Sequence, residues 1–236
     1  MDNSVRRTRG WLLAALMYVA AAALHAEPFP VETFDARYDV KLDGFNVGGL
    51  EQRVTARNDG TWMLETIMYT TGVVSWFKSD RVVEQSVMRA VDGTLQPLSY
   101  SYRYTGRNKD VVERLDFDWD KMQVKSLRDG KITMLPAQKG LLDKQVYQLL
   151  VRRDVAKGLK KMSYPIAERS RITTFDIEVV GEETITTPLG KFRTLKVQRG
   201  ATFLWCAPEL DYAVVKLSRE EDGHTATSYI TSLTRH

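Results

Sequence analysis

Cysteine is almost absent from this chain: Cys206 is the only one in 236 residues. A disulfide within one molecule is excluded, so the fold must hold by its core. No cysteine stands where an exported chain would begin, which excludes an acylated anchor. Histidine is nearly as scarce, and beyond His25 only His224 and His236 could serve as imidazole bases. Nucleophilic catalysis needs a Ser, Cys or Thr held against an oriented base. His236 is the last residue, His224 follows the turn signal Asp222-Gly223, and no Gly-x-Ser-x-Gly elbow occurs. A Cys206–His224 pair stays open in space, against the plainer reading of a buried thiol and a turn histidine. No Cys or His pair has zinc-ligand spacing, and no glycine-rich loop leads into a helix to cradle a phosphate. Neither a metal nor a cofactor is expected.

Long hydrophobic runs are also missing. The longest, residues 11–24, has 14 residues, whereas a bilayer-spanning helix needs about 20. Arg6, Arg7 and Arg9 precede it and Leu24-His25-Ala26 ends it, the layout of a signal peptide cleaved after residue 26. The residue pattern around Arg6-Arg7 lacks the features of the twin-arginine route, so Sec-type export to the periplasm of a Gram-negative bacterium is expected, with no permanent membrane span. Residues 27–236 then form a single domain of a size common for one β-rich unit. The formal charge of +4 falls to +2 once the three arginines and one aspartate of the leader are removed. So small a charge makes no case for nucleic acid.

Turn signals and alternation dominate what is present. Phe34, Ala36, Tyr38, Val40 and Leu42 alternate with Asp35, Arg37, Asp39 and Lys41, a half-buried strand. Asp-Gly follows at 43-44 and recurs at 59-60, 92-93, 129-130 and 222-223, the chemistry of tight hairpins. Strands are predicted at 45–57, 61–70, 82–88, 99–105, 111–117, 122–127, 131–135, 170–180, 183–187, 192–199, 202–205, 213–219 and 225–233. Gly48-Gly49 implies a bulge or bend, as in sheets that curve. Asp143, Val146, Leu149, Leu150 and Gly158 give a helix over 143–157, and a further helical turn is placed at 72–78. The fold class is therefore all-β dominated, a curved antiparallel sheet forming an open or spiral barrel, with one packed helix and a preceding signal helix.

The chemistry-bearing clusters each have a structural reading. Asp116, Asp118 and Asp120 resemble the start of a calcium loop, but Lys121 and Leu127 stand where Gly and Glu are required; a strand with three wet carboxylates explains them. Glu182-Glu183 are expected to flank a hairpin, on opposite faces. Arg152, Arg153, Lys157, Lys160 and Lys161 fit the carboxyl end of a helix dipole, or else an anion patch. Tyr100, Tyr102 and Tyr104 share one strand face, which serves strand pairing or lines a cavity for an apolar or amphipathic ligand. With Trp76, Phe77 and Trp205 they are the candidate ligand-binding residues.

Three segments carry a family resemblance. They are Asp92-Gly93-Thr94-Leu95-Gln96-Pro97-Leu98-Ser99-Tyr100; Leu142-Asp143-Lys144-Gln145-Val146-Tyr147-Gln148-Leu149; and the stretch from Glu183 through Pro188-Leu189-Gly190 to Val197, followed by Trp205-Cys206-Ala207-Pro208. In this order they resemble the DUF3108 family of bacterial exported proteins, which has no agreed activity. Ala213-Val214-Val215-Lys216 departs from the Pro-Val-Lys/Arg strand start frequent in that family. The resemblance implies a spiral, barrel-like sheet with a helix against it, similar in outline to periplasmic lipoprotein carriers. Pro188-Leu189-Gly190 reads as a turn, and Pro208 should end the strand carrying Trp205.

The first expectation for function is a soluble, non-enzymatic envelope protein that binds a hydrophobic or amphipathic ligand, such as a lipid, inside the curved sheet. The alternative is a structural protein with a side-chain-filled barrel that engages another envelope protein. A third reading, a hydrolase acting on envelope polymers, requires a cleft carboxylate or a partnered Cys206.

Overall fold

The computed structural model describes residues 31–72, 75, 80–106 and 110–236. The leader expected at 1–26 lies outside them, as do Trp76 and Phe77 in the helical turn expected at 72–78. Among the described residues fourteen strands form one antiparallel sheet. In chain order they are β1 (Phe34–Leu42), β2 (Phe45–Ala56), β3 (Trp62–Thr70), β4 (Arg81–Val91), β5 (Thr94–Thr105), β6 (Asp110–Asp118), β7 (Gln123–Arg128) and β8 (Lys131–Pro136), then, after the helix α1 (Val146–Ala156), β9 (Lys161–Glu168), β10 (Arg171–Thr187), β11 (Gly190–Arg199), β12 (Thr202–Ala207), β13 (Ala213–Glu221) and β14 (His224–Arg235). The spatial order is β8-β7-β6-β5-β4-β3-β2-β1-β14-β13-β12-β11-β10-β9. Two meanders are thus joined through β1 and β14, and the outermost strands β8 and β9 do not pair.

Local chemistry explains this regularity. At Asp43-Gly44, Asp92-Gly93, Asp129-Gly130 and Asp222-Gly223 both residues have positive φ, as two-residue hairpins of this hand require. The pairing of β1 with β2 shifts register between Val40 and Lys41, beside the predicted glycine pair. Gly48 is obligatory there: a Cβ would lie 2.0 Å from the carbonyl oxygen of Tyr69 on β3. Pro208 does end β12, opening a single 3-10 turn. β13 begins at Ala213 despite the missing proline, with Ala213 and Val215 buried.

Three expectations need correction. The stretch from 171 to 187 is one 17-residue strand, so Glu182 and Glu183 flank no hairpin; the chain absorbs its irregularity as a register shift between Val179 and Gly181. β9 was not foreseen, because Lys160-Lys161 and Pro165 obscure an alternation in which Met162, Tyr164 and Ile166 are buried. The helix is also shorter than 143–157. Asp143 precedes it as a buried cap, its Oδ1 accepting from the backbone N–H of Gln145 (2.7 Å) and Val146 (2.9 Å).

The helix lies in the hollow of the sheet. Val146, Leu150, Val151 and Val155 are buried in one cluster with Val54, Leu64, Met88, Ile166, Val197 and Ile230. A smaller cluster of Tyr100, Leu115, Phe117, Val124, Leu135, Leu141 and Ala167 fills the β5–β8 side. Polar groups fix the helix's entry into the hollow. The Ser86 hydroxyl donates to Asp143 (2.5 Å), the Thr66 hydroxyl to Gln145 (3.0 Å) and the Gln52 amide to Gln148 (3.3 Å). Although the sheet does not close, its curl brings distant parts together. The Arg169 N–H donates to the Glu113 carboxylate on β6 (2.5 Å), Ser170 and Ser126 share a hydrogen bond (3.0 Å), and Leu142 bridges Ile166 in parallel.

Candidate functional site

Where the two halves of the sheet curl toward each other at the amino end of α1, a cleft of about 300 Å³ remains. It is lined by Glu84, Lys144, Gln145, Tyr147, Gln148, Glu168, Arg169, Phe175, Arg199 and Arg219. These come from β4, the approach to α1 and its first turn, the end of β9 and its turn, β10, β11 and β13. No stretch of sequence contains the site; the curl assembles it.

Its charges are unevenly matched. Glu84 accepts from the Tyr100 hydroxyl (2.6 Å) and has Lys144 Nζ at 3.8 Å; Glu168 accepts from Thr173 (3.0 Å); Arg219 pairs with Glu221 (3.1 Å). Arg169 and Arg199 have no carboxylate partner among the described residues. Arg199 is half-buried, its guanidinium carbon 4.2 Å from the centre of the Phe175 ring and 5.9 Å from that of Tyr147. These rings meet edge to face at 5.2 Å. Its Nε is buried without a hydrogen-bond partner among the described residues, a condition that ordinarily costs about 1–3 kcal/mol. Burial raises the Tyr147 and Tyr102 phenols above their usual range, so both remain neutral hydroxyls.

The tyrosine face is divided among different environments. Tyr100 is only 1 % exposed in the smaller core, its phenol pushed far up by burial and then by Glu84. Tyr104 donates to Asp80 (3.0 Å). Tyr102 alone is half-buried near the cleft, with Lys144 Nζ 4.9 Å from its ring centre. Trp205 belongs elsewhere. It alternates with Leu204 and Cys206 on β12, donates to Glu183 (3.0 Å), and is flanked by Lys216 and Lys196 at 4.1 and 5.2 Å. Desolvation lowers the Lys216 ammonium, and Lys196 holds the Glu183 carboxyl low.

Other candidate chemistry separates rather than converges. Cys206 is fully buried and burial pushes its thiol up to about 12, whereas His224 is exposed and joined to Asp43 at 2.7 Å; they form no pair. Asp116 and Asp118 are engaged by Arg114 and Lys121 (3.0 and 2.6 Å), while Phe117 stacks on Trp119. The cations near the end of α1 do not make one patch: Arg152 bonds Glu32 (3.2 Å), Arg153 bonds Asp154 (2.7 Å), and Lys161 pairs with Glu178 (3.3 Å). Among the described residues no helix is long and apolar enough to cross a membrane.

Sequence reasoning missed most of the cleft. Arg169 and Arg199 look like ordinary turn-side arginines, and only the positive φ of Arg169 and Ser170 (48° and 58°) marks that hairpin as unusual. The one readable signal was Asp143-Lys144-Gln145, where a cap is followed by two polar residues that line the cleft wall.

Comparison with known proteins agrees with this architecture. Residues 37–231 match the sequence model of a family described as protein of unknown function, DUF3108. A solved structure, the beta-barrel-like protein of the domain of unknown function DUF1849 from Brucella abortus, superposes with a TM-score of 0.57. That match covers 88% of this chain and 99% of the other at 8% identity, so the likeness is one of fold. No curated protein matches the chain.

Proposed function

The chain belongs to the DUF3108 family of proteins of unknown function, and from that premise we propose that it is a soluble, non-enzymatic protein of the periplasm that binds an amphipathic ligand in the cleft of its open sheet. The observation that carries this reading is the cleft itself: about 300 Å³ left where two half-sheets curl without closing, lined from five strands and the start of the helix. Small-molecule sites favour such concavities, with a few polar groups converging beside aromatic surface. Here the exposed lining is mainly polar, and Tyr147 and Phe175 add a small aromatic flank. Export rests on the arginine-led apolar segment at 11–24.

The ligand enters at the helix's amino end rather than behind the tyrosine face, since Tyr100 is packed against Leu115 and Leu141. Among the described residues first singled out, none lines the cleft directly; Tyr100 and Tyr102 meet it through Glu84 and Lys144. A catalytic role finds no support in the separation of Cys206 from His224.

Native mass spectrometry on the protein produced with its own leader tests the proposal. After removal of co-purified lipid, addition of dodecyl maltoside or dodecyl phosphate below its micellar concentration should give a one-to-one adduct. Gln148→Trp, which places bulk at the cleft wall, should abolish it. Absence of any adduct at tenfold excess, or an adduct undisturbed by that substitution, would overturn the proposal.

A further inference from the structure

We infer that the cleft receives an oxyanion, a phosphate- or carboxylate-type head, with Arg199 as its inner anchor and Arg169 and Lys144 on its walls; the inference rests on the binding reading above and specifies the ligand's polar end. Four cationic side chains face two carboxylates in the lining. The carboxylates are already occupied, Glu84 by Tyr100 and Lys144, Glu168 by Thr173. Arg219 has its own partner in Glu221. What remains uncompensated is a pair of guanidiniums, Arg169 exposed at the rim and Arg199 half-buried, neither with a carboxylate among the described residues.

The geometry of Arg199 matters more than the charge count. Phe175 lies against its guanidinium, and Tyr147 lies nearby with its phenol hydrogen-bonded to Arg199, so its position is set by ring contacts and a neutral partner rather than by an ion pair. A planar, always-charged fork held in this way suits two parallel N–H···O bonds to an oxyanion. Its buried Nε, lacking an acceptor, identifies the donor that such a group would satisfy. The aromatic rings beside it then face the part of the ligand next to the head. A cationic or neutral head would leave both arginines uncompensated.

Calorimetric titration with three amphiphiles of equal tail, dodecyl phosphate, dodecyl maltoside and dodecyltrimethylammonium, and separately with inorganic phosphate, tests the inference. Dodecyl phosphate should bind at least about tenfold more tightly than either of the others, with affinity falling as salt is raised. Arg199→Gln should weaken dodecyl phosphate by about 10- to 100-fold, the range of a charge-assisted hydrogen bond, and leave dodecyl maltoside within about threefold. Because Arg199 also packs on Phe175, Arg169→Gln at the exposed rim is the second variant, with an expected loss of about three- to tenfold. Equal binding of all three heads, or indifference of dodecyl phosphate to both substitutions, overturns the oxyanion inference and leaves the amphiphile reading standing. Arginine-dependent binding of inorganic phosphate without any dodecyl compound supports the oxyanion subsite and removes the amphiphile reading. Failure of all four probes removes both.

Discussion

Replacing Asp143 by Asn should change how stability depends on pH more than it changes stability itself. The Asp143 side chain has no solvent exposure. It accepts from the N–H groups of Gln145 and Val146 and from the Ser86 hydroxyl. Burial nevertheless outweighs these bonds and raises its pKa from 3.8 to about 6. The folded state therefore prefers the protonated acid. The stability that this preference contributes is fully present below pH 3.8 and is lost as pH rises through about 6. At about 1.4 kcal/mol for each factor of ten, the loss is about 3 kcal/mol. Asn resembles the protonated acid at every pH: its oxygen still serves the helix N–H groups and its amide faces Ser86. Urea unfolding of both proteins from pH 4, where the unfolded side chain is already partly ionised, to pH 7.5 should show the difference in unfolding free energy moving by about 2.4 kcal/mol in favour of Asp143→Asn, with the other titrating groups cancelling. A difference that stays constant within about 0.5 kcal/mol, or moves the other way, would mean that Asp143 is not held protonated by its burial. Asp143→Ala is the control. It leaves two backbone donors and Ser86 without their acceptor, at about 1–3 kcal/mol for each buried group, so a loss of at least about 3 kcal/mol at pH 4 is expected.

Other outcomes follow from single positions. Gly48→Ala should destabilise by at least about 3 kcal/mol in urea unfolding, because its Cβ meets the Tyr69 carbonyl backbone rather than a movable side chain. Gly181→Ala, with nothing within 4 Å, should stay within about 1 kcal/mol. The Cys206 thiol, buried and pushed up to about 12, should react with a disulfide reagent only at the rate of global unfolding; rapid labelling of native protein would contradict its placement. Amino-terminal sequencing of exported protein should begin at Glu27, and retention of Met1 would contradict a cleaved leader.

The strands that could be read from sequence alone are those whose turns announce themselves. Four Asp-Gly pairs take positive φ at both residues and fix the two-residue hairpins, while the alternation of 34–42 appears unchanged as β1. What escaped notice had chemistry that imitates something else. Pro165 and Lys160-Lys161 disguise β9, which is an outermost strand and can tolerate proline. The adjacent acids Glu182-Glu183 look like a turn, yet Glu183 binds Lys196 and Trp205 from within β10. Asp143 is recognisable as a cap, but one of its three partners, Ser86, is far away in sequence. The cleft was the least readable feature. Glu84, Lys144, Arg169, Arg199 and Arg219 become neighbours only through the curl of the sheet, and each alone is an unremarkable surface charge.

On the proposed function, ligand enters between the curled halves of the sheet at the amino end of the helix. Amide chemical-shift mapping with isotopically labelled protein and dodecyl phosphate tests it most directly. Saturable changes are expected to concentrate at Lys144, Gln145, Tyr147 and Gln148, at Glu168 and Arg169, and around Arg199 and Arg219. Changes centred instead on Trp205 and Lys216, or on the apolar recess of Val31, Leu149 and Ala156, would contradict it.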